Sequence, residues 1–134
     1  MKITILNGDL SPEGSGFSKY IEELALKISS TSNVDHFQLN QMNLHYCTGC
    51  WSCWRKTPGM CAIKDDAEII FKSVIHSDFL IFASPLYAGF TSSLLKKIMD
   101  RLIVLLHPYM EIIQNECHHK KRYEKYPHFG LILQ

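Results

Sequence analysis

Apolar residues along this chain fall into short runs whose spacing alternates between strand-like and helix-like. Ile3-Thr-Ile-Leu6 is β-branched and is followed at once by Asn7, Gly8 and Asp9, so it reads as a strand ending in a turn. From there Phe17, Tyr20, Ile21, Leu24, Ala25 and Ile28 lie on one face of a helix. Val34, Phe37 and Leu39 alternate with polar neighbours, a half-polar strand suited to a sheet edge. An irregular segment, about 40–64, comes next. Asp65 and Glu68 spell a capping box opening a second helix. Phe79-Leu-Ile-Phe-Ala83 is continuously apolar, as a strand covered on both faces would be. A third helix starts near Thr91 to Ser93 with Leu94, Leu95, Ile98 and Leu102 on one side, and Phe129-Gly-Leu-Ile-Leu133 is a last strand.

Strands of the buried kind alternating with helices predict an α/β domain with a parallel sheet and right-handed crossovers. The half-polar second strand belongs at an edge, so the chain goes outward first and then reverses. The expected order is 2-1-3-4, a flavodoxin-like three-layer sandwich, with its switch point between the first and third strands. Ligands of open α/β sheets bind there, which directs attention to the two loops that meet at that point.

The first loop, Asn7 to Ser18, contains three glycines, and Ser11, Ser15 and Ser18 offer hydroxyls. With the helix N-terminus behind it, a phosphate is a natural occupant; an ordinary turn with Ser15 as helix cap is the plainer alternative. Asp9 and Glu13 count against an anion, because no basic residue in the loop offsets them. The second loop, Ser84-Pro-Leu-Tyr-Ala-Gly-Phe90, offers aromatic faces at Tyr87 and Phe90 and close backbone approach at Gly89, features suited to a planar ring.

The chain has 134 residues, 46% hydrophobic and 20% charged, which suits a single domain over 1–134. Fourteen Lys+Arg against 13 Asp+Glu give a net charge of +1, so nucleic acid is not an expected partner. The longest uncharged apolar run, Leu102 to Leu106, is far short of the roughly 20 residues that span a bilayer. No signal peptide is legible either, and a soluble, cytoplasmic protein without a membrane partner is expected. His118 to Lys125 carries the one concentrated run of positive charge, read as a solvated loop or as a contact for nicotinamide cofactor phosphates or a partner subunit.

Five cysteines in a reducing compartment point to thiol or metal chemistry. Cys117 stands apart and reads as a buried or inert thiol, whereas Cys47, Cys50, Cys53 and Cys61 crowd together. Three cysteines two residues apart, with a fourth after seven more, could supply the four thiolates of a [4Fe–4S] cluster. Free thiols or a redox disulfide are the simpler reading, and zinc is a third.

The string SPLYAGFTSSLLKKIMDR resembles the third-strand motif of the NADPH-dependent FMN reductase branch of the flavodoxin superfamily. CTGCWSCWRKTPGMCAIKDD is similar to the cysteine segment of flavodoxin-like oxidoreductases in that branch and to the cluster motif of iron–sulfur flavoproteins. The resemblance implies an FMN with its phosphate on Ser11, Ser15, Gly16, Phe17 and Ser18, and its ring against Pro85, Leu86, Tyr87, Ala88 and Gly89. It implies two-electron transfer from NAD(P)H through FMN to a small acceptor, with no catalytic acid or base. Relatives with Thr-Pro-Gly between the last two cysteines resemble plain flavin oxidoreductases, so metal-free thiols are the preferred expectation.

This chain departs from the family in lacking a basic residue in the phosphate loop and in ending where the family continues with a further strand and helix. Its last strand would then present an apolar edge, expected to be covered by a second copy or a partner. A flavin-free interaction module and an iron–sulfur electron carrier are the alternative functions.

Overall fold

The first strand owes its central place to five consecutive fully buried residues, Ile3 to Asn7. The computed structural model describes residues 1–11 and 13–134. In chain order it contains β1 (Lys2–Asn7), α1 (Gly16–Ser29), β2 (Asn33–Gln38), the short α2 (Ser52–Arg55), α3 (Ala67–Ile75), β3 (Phe79–Ser84) and α4 (Ser93–Arg101). A hairpin of β4 (Leu106–Ile113) and β5 (Glu116–Lys121) precedes the last strand, β6 (His128–Leu133).

The parallel sheet runs β2-β1-β3-β6, which is the expected order with β6 as the fourth strand. Register aligns Leu6 with Phe37 and Phe82, and Phe82 in turn with Leu131. Alternation along the strands divides the core between two faces. Ile3, Ile5, Ile81 and Ala83 meet Phe17, Ile21 and Ala25 of α1 on one face. Leu6, Leu80 and Phe82 meet Ile70, Phe71 and Val74 of α3 and Leu95 and Ile98 of α4 on the other. Burying each such side chain stabilises the fold by about 1.5–3 kcal/mol, so these two layers set the position of both loops at the switch point.

Three sequence expectations are corrected. The basic stretch is not a loop: His118 to Lys121 form most of β5, antiparallel to β4. The hairpin turns at Gln114 and Asn115, both at positive φ (50° and 66°). Trp54 stacks on His119 at 5.3 Å, and the Arg122 guanidinium donates to the Leu106 carbonyl, which holds the hairpin against the body. Cys117 is exposed on β5 rather than buried. Asp65 does not cap α3 in a reciprocal box with Glu68: Glu68 pairs with Lys72, and the Asp65 carboxylate turns inward.

β6 is an edge strand, and Phe129, Leu131 and Leu133 are 69%, 56% and 44% exposed along it. A groove of about 910 Å³ lies between this strand and the hairpin, lined by Leu80, Phe82, Leu102, Leu105, Tyr126 and Phe129. It lies on the α3/α4 face, away from the carboxyl ends of β1 and β3.

Candidate functional site

The loops after β1 and β3 touch directly. Gly8 N–H donates to the Ala83 carbonyl at 2.8 Å. A Cβ at Gly8 would stand 2.7 Å from both Leu95 Cβ and Ser92 Oγ, so only glycine lets β1 pass this close to the start of α4. Ser92 caps α4 by accepting from Leu95 N–H, and its own N–H donates to Ser84 Oγ. Strand end, loop and helix start are thus locked together.

Beyond them the segment after β3 forms an open apolar shelf. Tyr87 and Phe90 exchange backbone hydrogen bonds around Ala88 and Gly89, both at positive φ (50° and 84°), which makes a tight two-residue turn. Leu86, Tyr87 and Phe90 stay exposed, and the space around Gly89 is open. Leu86 N–H donates to the Gln134 carbonyl, so the shelf is also tied to the end of β6. Pro85, Leu86, Tyr87, Ala88 and Gly89 therefore form one continuous surface of the sort a flat ring can lie on.

The loop after β1 is organised around Asp9, which is 2% exposed. Its Oδ2 accepts from Ser15 N–H (3.3 Å), Ser18 Oγ (2.7 Å) and the Ser15 hydroxyl; its Oδ1 accepts from Ser11 N–H (3.1 Å). Ser15 Oγ caps α1 by accepting from Phe17 and Ser18 N–H, as its cap position in the sequence predicted. Asn7 completes the network, donating to Ser18 Oγ and Gln38 and accepting from Asp9 N–H. Burial alone pushes the Asp9 carboxyl up, and the hydrogen bonds from Ser15, Ser11 and Ser18 outweigh it, holding the group below its ordinary value and charged. Ser11, Ser15 and Ser18 thus converge, but on a carboxylate of the chain itself. Gly16 is exposed at the first turn of α1, and the Phe17 side chain lies in the core. As arranged, this cradle does not fit a phosphate, while the shelf fits a ring.

The four clustered cysteines line a single small cavity together with Arg101, Ile103 and Val104. Trp51, at φ 57°, opens the short α2, stacks on Trp54 at 4.9 Å, and Trp54 Nε1 donates to the Ile103 carbonyl. All five cysteines are free thiols. Burial pushes Cys53 up, reinforced by the neighbouring Cys61, Cys47 and Cys50; the Ser52 hydroxyl and amide and the Thr48 hydroxyl draw the exposed Cys50 down. Among the described residues, no three His, Cys, Asp or Glu side chains are placed to hold a single metal ion. Four thiols around one cavity are a donor set common to [4Fe–4S] clusters and four-cysteine zinc sites.

Arg101 was not legible as a site residue, yet it organises this corner. It makes a two-pronged ion pair with Asp65 (2.6 and 2.9 Å), donates to the His45 carbonyl and reaches Cys61 Sγ at 3.4 Å. Both charged side chains are excluded from water, at 1% and 0% exposure.

The sequence profile described as NADPH-dependent FMN reductase matches residues 1–121. The chain belongs to that family. It is 34% identical to an iron-sulfur flavoprotein of Methanocaldococcus jannaschii, over 75% of this chain and 51% of that protein. An iron-sulfur flavoprotein of Clostridioides difficile is 31% identical over 79% of this chain and 48% of its own length. The chain spans about half the length of the curated relatives it matches. Among solved structures, the azoreductase AzrA superposes with a TM-score of 0.66 at 12% identity, covering 99% of this chain and 68% of that one. The apo NADH:FMN oxidoreductase EmoB gives 0.57 at 20% identity, covering 78% and 52%. These place the reductase-family chain in a flavodoxin-like fold. No described helix is long and apolar enough to cross a membrane.

Proposed function

We propose that this chain is the flavin-holding part of an NAD(P)H-dependent oxidoreductase that delivers two electrons to a small acceptor in the cytoplasm. The observation that carries the reading is the shelf of Pro85, Leu86, Tyr87, Ala88 and Gly89, exposed at the carboxyl end of β3, where Gly8 of the loop after β1 bonds to Ala83. A bound flavin supplies the redox chemistry; the chain's own residues present an apolar face to the ring and keep it beside the switch point. FMN, the flavin in the family's description, is the first ligand to test, with NAD(P)H as the electron donor.

A second reading is favoured by the four free thiols lining one cavity and by relatives named iron-sulfur flavoproteins. In it Cys47, Cys50, Cys53 and Cys61 hold a cluster, with the Arg101 guanidinium beside Cys61 offsetting thiolate charge. The exposed edge of β6 supports a homo-oligomer or a partner on that side.

Anaerobic purification followed by absorption spectroscopy and flavin titration tests both. A two-banded flavin spectrum, or saturable uptake of added flavin, is expected; a broad brown absorbance with iron and acid-labile sulfide would assign the cysteines. A chain that takes up no flavin would instead favour an interaction module. Gly89→Val checks the shelf itself. A β-branched residue at φ 84° distorts the turn, and flavin affinity should fall roughly tenfold, about 1.4 kcal/mol. Unchanged affinity would put the ring elsewhere.

A further inference from the structure

In an anion cradle the donors at a helix N-terminus point at an incoming ligand. In this chain the serine donors of the loop leading into α1 point at Asp9 instead. Ser11 N–H, Ser15 N–H and the hydroxyls of Ser15 and Ser18 all donate to its two carboxylate oxygens. Each of these groups has one hydrogen to give, so none can serve Asp9 and a phosphate oxygen together. The Phe17 and Ser18 amides are spent on Ser15 Oγ, which leaves Gly16 N–H as the one amide of this first turn not drawn into the network among the described residues.

Charge tells the same way. A phosphate here would face a carboxylate kept ionised by its hydrogen bonds, inside a site from which Asp9 is almost wholly shut off from water. The stretch from Asn7 to Ser18 contains no Lys, Arg or His to offset either charge. The first cation, Lys19, is exposed on α1. Nor is Asp9 a loose side chain that could swing aside at little cost, because Asn7 and Gln38 brace the same network from β1 and β2.

We infer that Asp9 takes the place of the flavin phosphate, and that this chain binds flavin through its ring and uncharged ribityl chain, accepting riboflavin and discriminating against FMN. The inference rests on the reading of the 85–89 shelf as the flavin platform. Ser15 Oγ caps the first amides of α1, and the Asp9 carboxylate in turn orients Ser15 and Ser18, so its negative charge sits at the helix N-terminus where a phosphate would otherwise lie.

Parallel titration of the purified chain with riboflavin and with FMN, followed by quenching of flavin fluorescence, tests this without any mutation. Riboflavin should bind at least as tightly as FMN. Asp9→Asn keeps the shape of the side chain and removes its charge. It should raise FMN affinity roughly tenfold or more, as expected for one like charge removed beside a dianion, and leave riboflavin within about threefold. FMN binding tenfold or more tighter than riboflavin by the unmutated chain would overturn the inference and leave the flavin platform standing. Binding of neither flavin would overturn both, and the two failures are thereby distinct. If Asp9→Asn does not fold, which circular dichroism would reveal, the comparison on the unmutated chain still decides.

Discussion

Arg101→Met should cost about 3–5 kcal/mol of unfolding free energy, measured by urea denaturation, the range for removing one partner of a buried ion pair. Asp65 would be left charged, at 0% side-chain exposure, with the His45 and Ala67 amides as its remaining strong donors. The double replacement Arg101→Met with Asp65→Leu should recover much of that loss, because no uncompensated charge remains. A loss below about 1 kcal/mol for Arg101→Met would mean that water reaches the pair. The same variant should speed thiol labelling of Cys61, whose sulfur and whose loop neighbour His45 are both held by the guanidinium.

This pair also makes stability depend on acid pH. Burial by itself pushes the Asp65 carboxyl up, but hydrogen bonds from Arg101, from the His45 and Ala67 amides and from the His45 ring hold it well below the usual carboxylate range. A depressed value in the folded state means stability that is complete above the unfolded value of about 3.9 and lost as pH falls below it. Asp65→Asn should therefore be less stable at neutral pH and flatter in its acid unfolding profile.

Gly8→Ala should cost about 1–3 kcal/mol, the range for overfilling a closed site. The added Cβ would meet Leu95 Cβ, which is next to the backbone of α4 and cannot swing away, as well as the capping Ser92 Oγ. Because α4 follows directly from the shelf, flavin affinity should fall along with stability. Gly89→Val, by contrast, alters an open turn and should act mainly on affinity. Wild-type stability in Gly8→Ala would mean that the two loops are not in contact.

Much of this architecture is written locally. The strands at Ile3 and Phe79 and the helices starting at Gly16 and Ser93 follow from hydrophobic spacing, because each buries one face against the sheet. The hairpin was hidden for a local reason too. Its Gln114-Asn115 turn adopts positive φ at both positions without the glycine that normally marks such a turn, and Pro108 argues against a strand. Asp65 misled for a different reason: Asp-x-x-Glu spells a helix cap, but the partner that claims Asp65 is Arg101, on a helix far along the chain. Asp9 was legible as a charge out of place in a phosphate loop. Its role as the acceptor of that loop's own donors needed the fold.

The arrangement of β6 has a consequence for the order in which this molecule assembles. β1, β2 and β3 can pair as soon as Ser84 is made, with α1 and α3 covering them. β6 is the last strand to be made, after α4 and the whole hairpin, so its pairing with β3 comes after the other three strands are in place. It also lies at the rim, with Phe129 and Leu131 more than half exposed. Amide protons of β1 and β3 should therefore exchange most slowly and those of β6 sooner, by local opening rather than global unfolding. Because Leu86 is tied to Gln134, each such opening also loosens the shelf, and a ring held there as proposed should be released faster whenever the last strand frays.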